Sequence, residues 1–198
     1  TKVAVYENTK LLKEMTLRHS AGELSEFPDV IGQFGWRKGI IIDAIAGAGI
    51  DITTIDAVIG RGGVVKPIPS GVYEVNDALK RDLLKCTYGQ HASNLGGLIA
   101  ADIADGIGIP SYIADPVVVD ELQAVARVTG RPEIERISIF HALNQKAIAR
   151  SFASQRGVDY GSLNLIVAHL GGGISVGAHR KGEVVDVNNA LDGDGPFS

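Results

Sequence analysis

The polar groups of this 198-residue chain best equipped to handle an anion fall at four places. The first surrounds His169. An apolar segment over 163–168 leads into His169-Leu170-Gly171-Gly172-Gly173-Ile174-Ser175, and alternating apolar residues follow to 178. These lengths predict a buried strand, a glycine elbow and a returning strand. Three residues without a Cβ let a polyanion approach backbone N–H groups closely. With the Ser175 hydroxyl and a His169 ring donor, the motif reads as a phosphate cradle. A tight hairpin carrying a solvated histidine has the same pattern and stays open as the alternative.

Arg61 is the second, in Gly60-Arg61-Gly62-Gly63 just past an apolar run. A guanidinium on a bare loop suits bidentate capture of a carboxylate or phosphate, although an ordinary surface arginine reads equally. Third, Asp115 closes the apolar segment 111–114 and precedes Pro116. A carboxylate at a strand's C-terminal end lies where α/β folds place chemistry. It is suited to holding Mg²⁺ or orienting a reacting group; turn formation is the plainer explanation. Fourth come the histidines. His141 follows Phe140 and precedes Asn144 at a helix start, and His91 lies in Tyr88-Gly89-Gln90-His91-Ala92-Ser93-Asn94. Each reads as a donor or as a buried, satisfied imidazole. Cys86 among leucines reads as core, and Lys146, Arg150 and Arg156 read as a solvated helix face.

Hydropathy predicts the elements that must position these groups. Residues 2–6 and 11–18 form a hairpin about Glu7-Asn8-Thr9-Lys10. Ser25 N-caps a helix through Phe34, Trp36 and 40–45 that ends near 47–49. Residues 52–59 form a buried strand, and Asn76 caps a short helix. Ser93 or Asn94 starts another that ends at 106–108. A short strand follows at 111–114, then helices over 118–128 and 144–153. Strands at 163–168, 174–179 and 183–187 close the sequence, the last turned in by Gly182. The strand-rich openings at 1 and 163 predict a duplicated α/β architecture, divided as 1–116 and 117–198, with a ligand cleft between the halves.

Composition narrows the function classes. Apolar residues make up 45% and charged residues 21%, as in soluble globular proteins. A net charge of −4 gives no reason to expect nucleic-acid or membrane-surface binding. A single cysteine excludes an internal disulfide and fits a reducing cytoplasm. No apolar run approaches the roughly 20 residues that span a bilayer, and no signal-peptide pattern is present. The glycines cluster at 60–63, 171–173 and 193–195, which reads as ligand-approach loops. The opening in a strand pattern without Met and the close in a loop read as an internal piece of a longer protein.

Taken in order, Ile59-Gly60-Arg61-Gly62-Gly63, Ala114-Asp115-Pro116, Phe140-His141-Ala142-Leu143-Asn144 and His169-Leu170-Gly171-Gly172-Gly173-Ile174-Ser175 resemble the acetate and butyrate kinases. These form the acetokinase branch of the sugar kinase, Hsp70 and actin superfamily. Val184-Val185-Asp186-Val187-Asn188-Asn189-Ala190-Leu191-Asp192-Gly193 brings the likeness nearest the butyrate kinases, and it covers essentially the whole chain. The resemblance implies a ribonuclease H-like α/β fold, a mixed sheet flanked by helices, followed by the start of a second such domain. It implies reversible phosphoryl transfer between ATP and a short-chain fatty acid, giving an acyl phosphate, with Mg²⁺ as cofactor.

Roles follow by the same resemblance. Arg61 binds the acid's carboxylate and then the acyl phosphate, with Gly62, Gly63, His91 and Phe140 around the acid. Asp115 is the catalytic carboxylate near Mg²⁺, and His141 stabilises charge on the transferring phosphoryl group. His169, Gly171, Gly172, Gly173 and Ser175 hold ATP phosphates. A cytoplasmic homo-oligomer without nucleic-acid or membrane partners is implied. Acetate kinases carry bulky apolar residues where this chain has Gly62 and Gly63. That difference predicts a wider pocket and a preference for butyrate or a branched C4–C5 acid. The chain would then hold the acid-binding half and only the first hairpin of the nucleotide half, and would be inactive alone. A non-catalytic phosphate- or nucleotide-binding module of the same fold is the alternative, and a ligand-free structural domain the third reading.

Overall fold

Two antiparallel strands, β1 (Lys2–Glu7) and β2 (Lys10–Thr16), open the chain as a hairpin turned at Asn8, a residue with φ of 55°. The computed structural model describes residues 1–191, so the glycine cluster at 193–195 and the last two residues of the 184–193 motif lie outside the described residues. Ser20, not Ser25, caps the first helix, α1 (Ala21–Ser25). Ser20 and Glu23 satisfy each other's backbone N–H groups in a capping box, and Ser25 is the helix's last residue. Pro28 disfavours helical backbone at the residue before it. The Asp29 carboxylate then accepts from Gly32 N–H. The chain therefore re-enters helix only at α2 (Phe34–Gly47), through a 3₁₀ turn at Ile31–Gln33.

The strand expected over 52–59 shortens to β3 (Val58–Arg61). Asp51 takes the Thr53 N–H on its carboxylate and winds Ile52–Thr54 into a 3₁₀ turn. β3 pairs in parallel with β5 (Ser111–Ala114), and β4 (Val72–Glu74) pairs antiparallel on its other side. Between them run α3 (Asp77–Lys85), capped by Asn76 as expected, and α4 (Asn94–Ile107), ended at Gly108 with φ of 74°.

β3 lies directly on α4, which gives the glycines at 60–63 a reason other than ligand approach. A Cβ on Gly60 would run into the Gly96 carbonyl. One on Gly63 would lie 2.5 Å from Leu83 Cδ2 and 2.7 Å from Asn94 Cα, and one on Gly62 2.6 Å from Pro116 Cβ. The space that the sequence reading assigned to a widened acid pocket is filled by protein. Val64, Leu83, Leu95 and Ile99 form the first core here.

The helix expected over 118–128 does not form. Val117, Val118 and Val119 are β-branched and favour extended backbone. Val119 bridges Ile68 in parallel, and the Gln123 N–H donates to the Val185 carbonyl. Only Ala124–Arg127 winds into a 3₁₀ turn. Val118 packs in the first core and Val119 in a second, formed with Leu122, Phe140, Val184 and Val187. Valines at 117–119 divided between two cores give a dense apolar start to the segment, and that density mimics a buried helix.

α5 (Ala142–Gln155) packs against β6 (Asn164–Leu170), the outer strand of an antiparallel sheet with β7 (Ile174–Arg180) and β8 (Glu183–Val187). The α5 cations are not all solvated. Lys146 is 1% exposed, its ammonium 2.8 and 2.9 Å from the two Glu121 oxygens and 3.0 Å from the Gly182 carbonyl. Glu121 also accepts from the Val184 N–H, so this buried pair ties α5 to the chain at 121 and to β8. Arg150, with its side chain 50% exposed, and Arg156, over the Phe152 ring, keep surface positions. Among the described residues no helix is long and apolar enough to cross a membrane.

Candidate functional site

His141 is the N-cap of α5, with φ −80° and ψ 60°. Its Nδ1 lies 2.9 Å from Ser175 Oγ, and its backbone N–H also points there at 3.4 Å. Ser175 stands opposite His169 in the β6–β7 register, across a loop closed by the Gly171 N–H on the Gly173 carbonyl. The hairpin is gripped by the first turn of α5, where residues three and four apart share a face. Asn144 Oδ1 lies 3.0 Å from His169 Nδ1, and Gln145 Nε2 donates to Ser175 Oγ at 2.8 Å and to the Ser175 carbonyl at 3.0 Å. The His141 and His169 rings stack with centroids 3.8 Å apart and planes 11° from parallel.

The glycine elbow accommodates these rings. A Cβ on Gly173 would stand 3.1 Å from His141 Cε1, and one on Gly171 3.0 Å from His169 Nε2. Gly172 meets nothing within 4 Å. The outer two glycines keep the imidazole edges clear, and the middle one leaves the loop's crest bare.

Arg61, at the exposed end of β3, completes the cluster together with His91. Burial and then the Arg61 charge hold His91 below the ordinary histidine value. Burial likewise lowers His141, assisted by the charges of His169, Arg61 and His91. The Ser93 N–H donates to His91 Nδ1, so the neutral ring carries its proton on Nε2. The structure thus brings together one permanent cation and three imidazoles. An arriving anion would find N–H donors and would favour protonating the rings.

Asp115 directly follows the residue that pairs with Arg61, and its carboxylate is engaged by other partners. Its φ of 36° is rare for a non-glycine residue. Its Oδ1 accepts from Ser70 Oγ at 2.6 Å and from the Gly71 N–H at 2.9 Å, and its Oδ2 from Arg150 Nη1 at 2.9 Å. Burial alone would raise its pKa; the Ser70 hydroxyl, the Arg150 guanidinium and the Gly71 N–H outweigh it and hold the carboxyl below the usual range. The carboxylate expected to take Mg²⁺ is therefore already paired with a cation and fills Oδ1 with protein donors. No group of three or more His, Cys, Asp or Glu among the described residues is arranged to hold a metal ion. Mg²⁺ in such sites is held by one or two carboxylates together with substrate phosphates; Asp115 by itself forms no cage for the ion, and no chemical step is derived through it.

Two further expectations change. Ser175 is completely buried and spends its hydroxyl on His141 and Gln145, so it positions the imidazole rather than meeting a phosphate. Phe140 is 1% exposed inside the second core and offers no surface to an acid. Sequence reasoning missed Gln145, His179 and Tyr160. They continue inward from Ser175: Gln145 Oε1 to His179 Nε2 at 2.9 Å, and His179 Nδ1 to Tyr160 Oη at 2.6 Å. The available signal was parity, since Ser175, Gly177 and His179 share the inward side of β7, where polar groups must be satisfied. A surface groove of about 480 Å³ lined by Phe34, Lys80, Leu98 and Asp102 contains none of these site residues.

No protein-family model matches the chain. Among curated proteins it is 56% identical over all 198 residues to a probable butyrate kinase of Clostridium botulinum (strain Eklund 17B / Type B), and 54% identical to butyrate kinase 1 of Clostridium acetobutylicum. In both cases it spans 56% of the relative's length. Solved structures of the same fold include an acetate kinase from Entamoeba histolytica, with TM-score 0.58 and 18% identity over 77% of this chain and 41% of that one. A propionate kinase from Francisella tularensis gives TM-score 0.56 and 17% identity over 96% of this chain and 47% of that one. These neighbours fix the architecture as the acetate-kinase type of α/β fold, sheets flanked by helices. Over its whole length the chain is similar to curated butyrate kinases, and it spans about half the length of those relatives.

Proposed function

We propose that this chain supplies the acid- and phosphoryl-binding part of a carboxylate kinase that transfers the γ-phosphoryl group of ATP to a short-chain fatty acid, giving an acyl phosphate and ADP. The observation that carries the reading is the convergence of Arg61, His91, His141 and His169 at the β6–β7 hairpin. Arg61 grips the acid's carboxylate in two-pronged fashion. His141 donates from its ring to the phosphoryl oxygens as charge moves between donor and acceptor. His169 and the bare N–H groups at 171–173 hold the phosphates of ATP. Such transfer depends mostly on positioning and on electrostatic stabilisation, and one removed donor costs about 10²–10³ in rate.

Asp115 contributes by fixing the end of β5 to α5 through Arg150. Butyrate is the acid proposed, on the strength of the relatives' names; Gly62 and Gly63 no longer support the choice. Because the chain spans 56% of those relatives, the 198-residue polypeptide alone is expected to form no acyl phosphate. The test is hydroxylamine trapping with ATP, Mg²⁺ and butyrate or acetate, using the full-length gene product that contains this sequence. Butyryl hydroxamate forming faster than acetyl hydroxamate supports the proposal. Nucleotide binding without any hydroxamate would instead identify a binding module.

A further inference from the structure

The hydrogen bonds running inward from His141 have a determined direction. The Ser175 carbonyl can only accept, so the Gln145 group 3.0 Å from it is the amide nitrogen. Gln145 Oε1 then faces His179 Nε2 at 2.9 Å and must accept, so that nitrogen bears the His179 proton. The other His179 nitrogen, Nδ1, takes the Tyr160 hydroxyl proton at 2.6 Å. On the outer side, Ser175 Oγ accepts from Gln145 at 2.8 Å and from the His141 backbone N–H at 3.4 Å, which fills both lone pairs, so its own proton goes to His141 Nδ1 at 2.9 Å. Every donor from Tyr160 onward points toward His141.

Gln145 and Ser175 are fully buried and His179 is 2% exposed, so water does not compete for these partners. Burial holds Tyr160 protonated, with its pKa pushed up to about 12, and holds His179 neutral, pushed down to about 4, in agreement with the direction assigned by geometry. The backbone makes room for the chain of bonds: a Cβ at Gly177 would run into Gln145 Oε1.

We propose that Gln145, His179 and Tyr160 are positioning residues that lock His141 in the tautomer bearing its proton on Nε2, the ring edge beside Gly173. The site then presents a ring N–H donor without needing a charged imidazolium. That this donor meets a phosphoryl group rests on the kinase reading; the tautomer does not.

The test is long-range ¹H–¹⁵N correlation spectroscopy of the imidazoles in the ¹⁵N-labelled protein near neutral pH. The expected result is a pyridine-type Nδ1 and a pyrrole-type Nε2 at both His141 and His179. In Gln145→Glu the carboxylate accepts on both sides and draws the Ser175 proton to itself. His141 must then donate from Nδ1, and its tautomer inverts. A wild-type His141 with its proton on Nδ1 overturns the proposal, as does an unchanged tautomer in a folded Gln145→Glu protein. Should that variant fail to fold, the wild-type spectrum decides. In the full-length gene product Gln145→Glu is expected to lower kcat about 10²-fold while the KM for the acid stays within about twofold, a split that general loss of structure would not produce. If the spectra agree but the wild-type gene product forms no acyl phosphate, the kinase reading fails and the tautomer lock stands.

Discussion

Lowering the pH from about 7.5 to about 5 should destabilise this protein by ~2 kcal/mol through His179 alone. His179 is 2% exposed, with both ring nitrogens committed to neutral partners. Burial first, then the Lys146 ammonium, push its pKa down to about 4, with Glu121 opposing them. In the unfolded chain it titrates near 6.5. Below that value the unfolded state binds a proton that the folded state refuses. Stability is therefore complete above about pH 6.5, falls as the pH drops toward 4 and levels off beneath it. The whole difference is ~3 kcal/mol, and about 2 of that is spent by pH 5. Urea unfolding followed by helical circular dichroism at both pH values measures it, with His179→Gln as the non-titrating reference. The other histidines are common to both proteins, so the difference of differences isolates His179. An equal pH loss in the two proteins, within about 0.5 kcal/mol, would show that His179 does not carry this dependence.

Gly63→Ala should cost about 1–3 kcal/mol in the same unfolding assay, because the new methyl meets Leu83 and Asn94 rather than open space. A shift in acid preference at unchanged stability would restore the pocket reading. Asp115→Asn should destabilise at neutral pH. Since the folded carboxyl is held below the usual range, the gap to wild type should narrow as the pH falls through the ordinary carboxylate values, as denaturant midpoints at neutral and acid pH would show. Arg61→Gln in the full-length gene product should raise the KM for the acid about 10–100-fold, the loss of roughly 1.5–3 kcal/mol of charged hydrogen bonding. Steady-state kinetics with butyrate varied would check it.

Much of the scaffold was legible because its signals are local. Asn76 capping α3, Gly108 ending α4 and the glycine elbow between β6 and β7 each follow from one residue's own chemistry. The failures were tertiary. The 117–119 valines face two cores at once, a pattern that hydropathy cannot separate from a helix. Gly60, Gly62 and Gly63 look like ligand-loop glycines until α4 and Pro116 are seen against them. The site divided in the same way. Arg61, His91, His141 and His169 were found by residue type and converge. Lys146 reads as solvated because its partner Glu121 is 25 residues away in sequence, and the bond from the exposed Arg150 to Asp115 is hidden by a separation of 35. The Gln145–His179–Tyr160 chain had only strand parity to announce it.

If the cluster around His141 transfers a phosphoryl group to a carboxylate, removing the His141 ring must slow acyl phosphate formation. The most direct test is the rate of butyryl hydroxamate formation from ATP and butyrate by the full-length gene product, wild type beside His141→Ala. The wild type should form hydroxamate steadily, and the variant should lose about 10²–10³ in kcat at unchanged fold. Equal rates in the two proteins would contradict it.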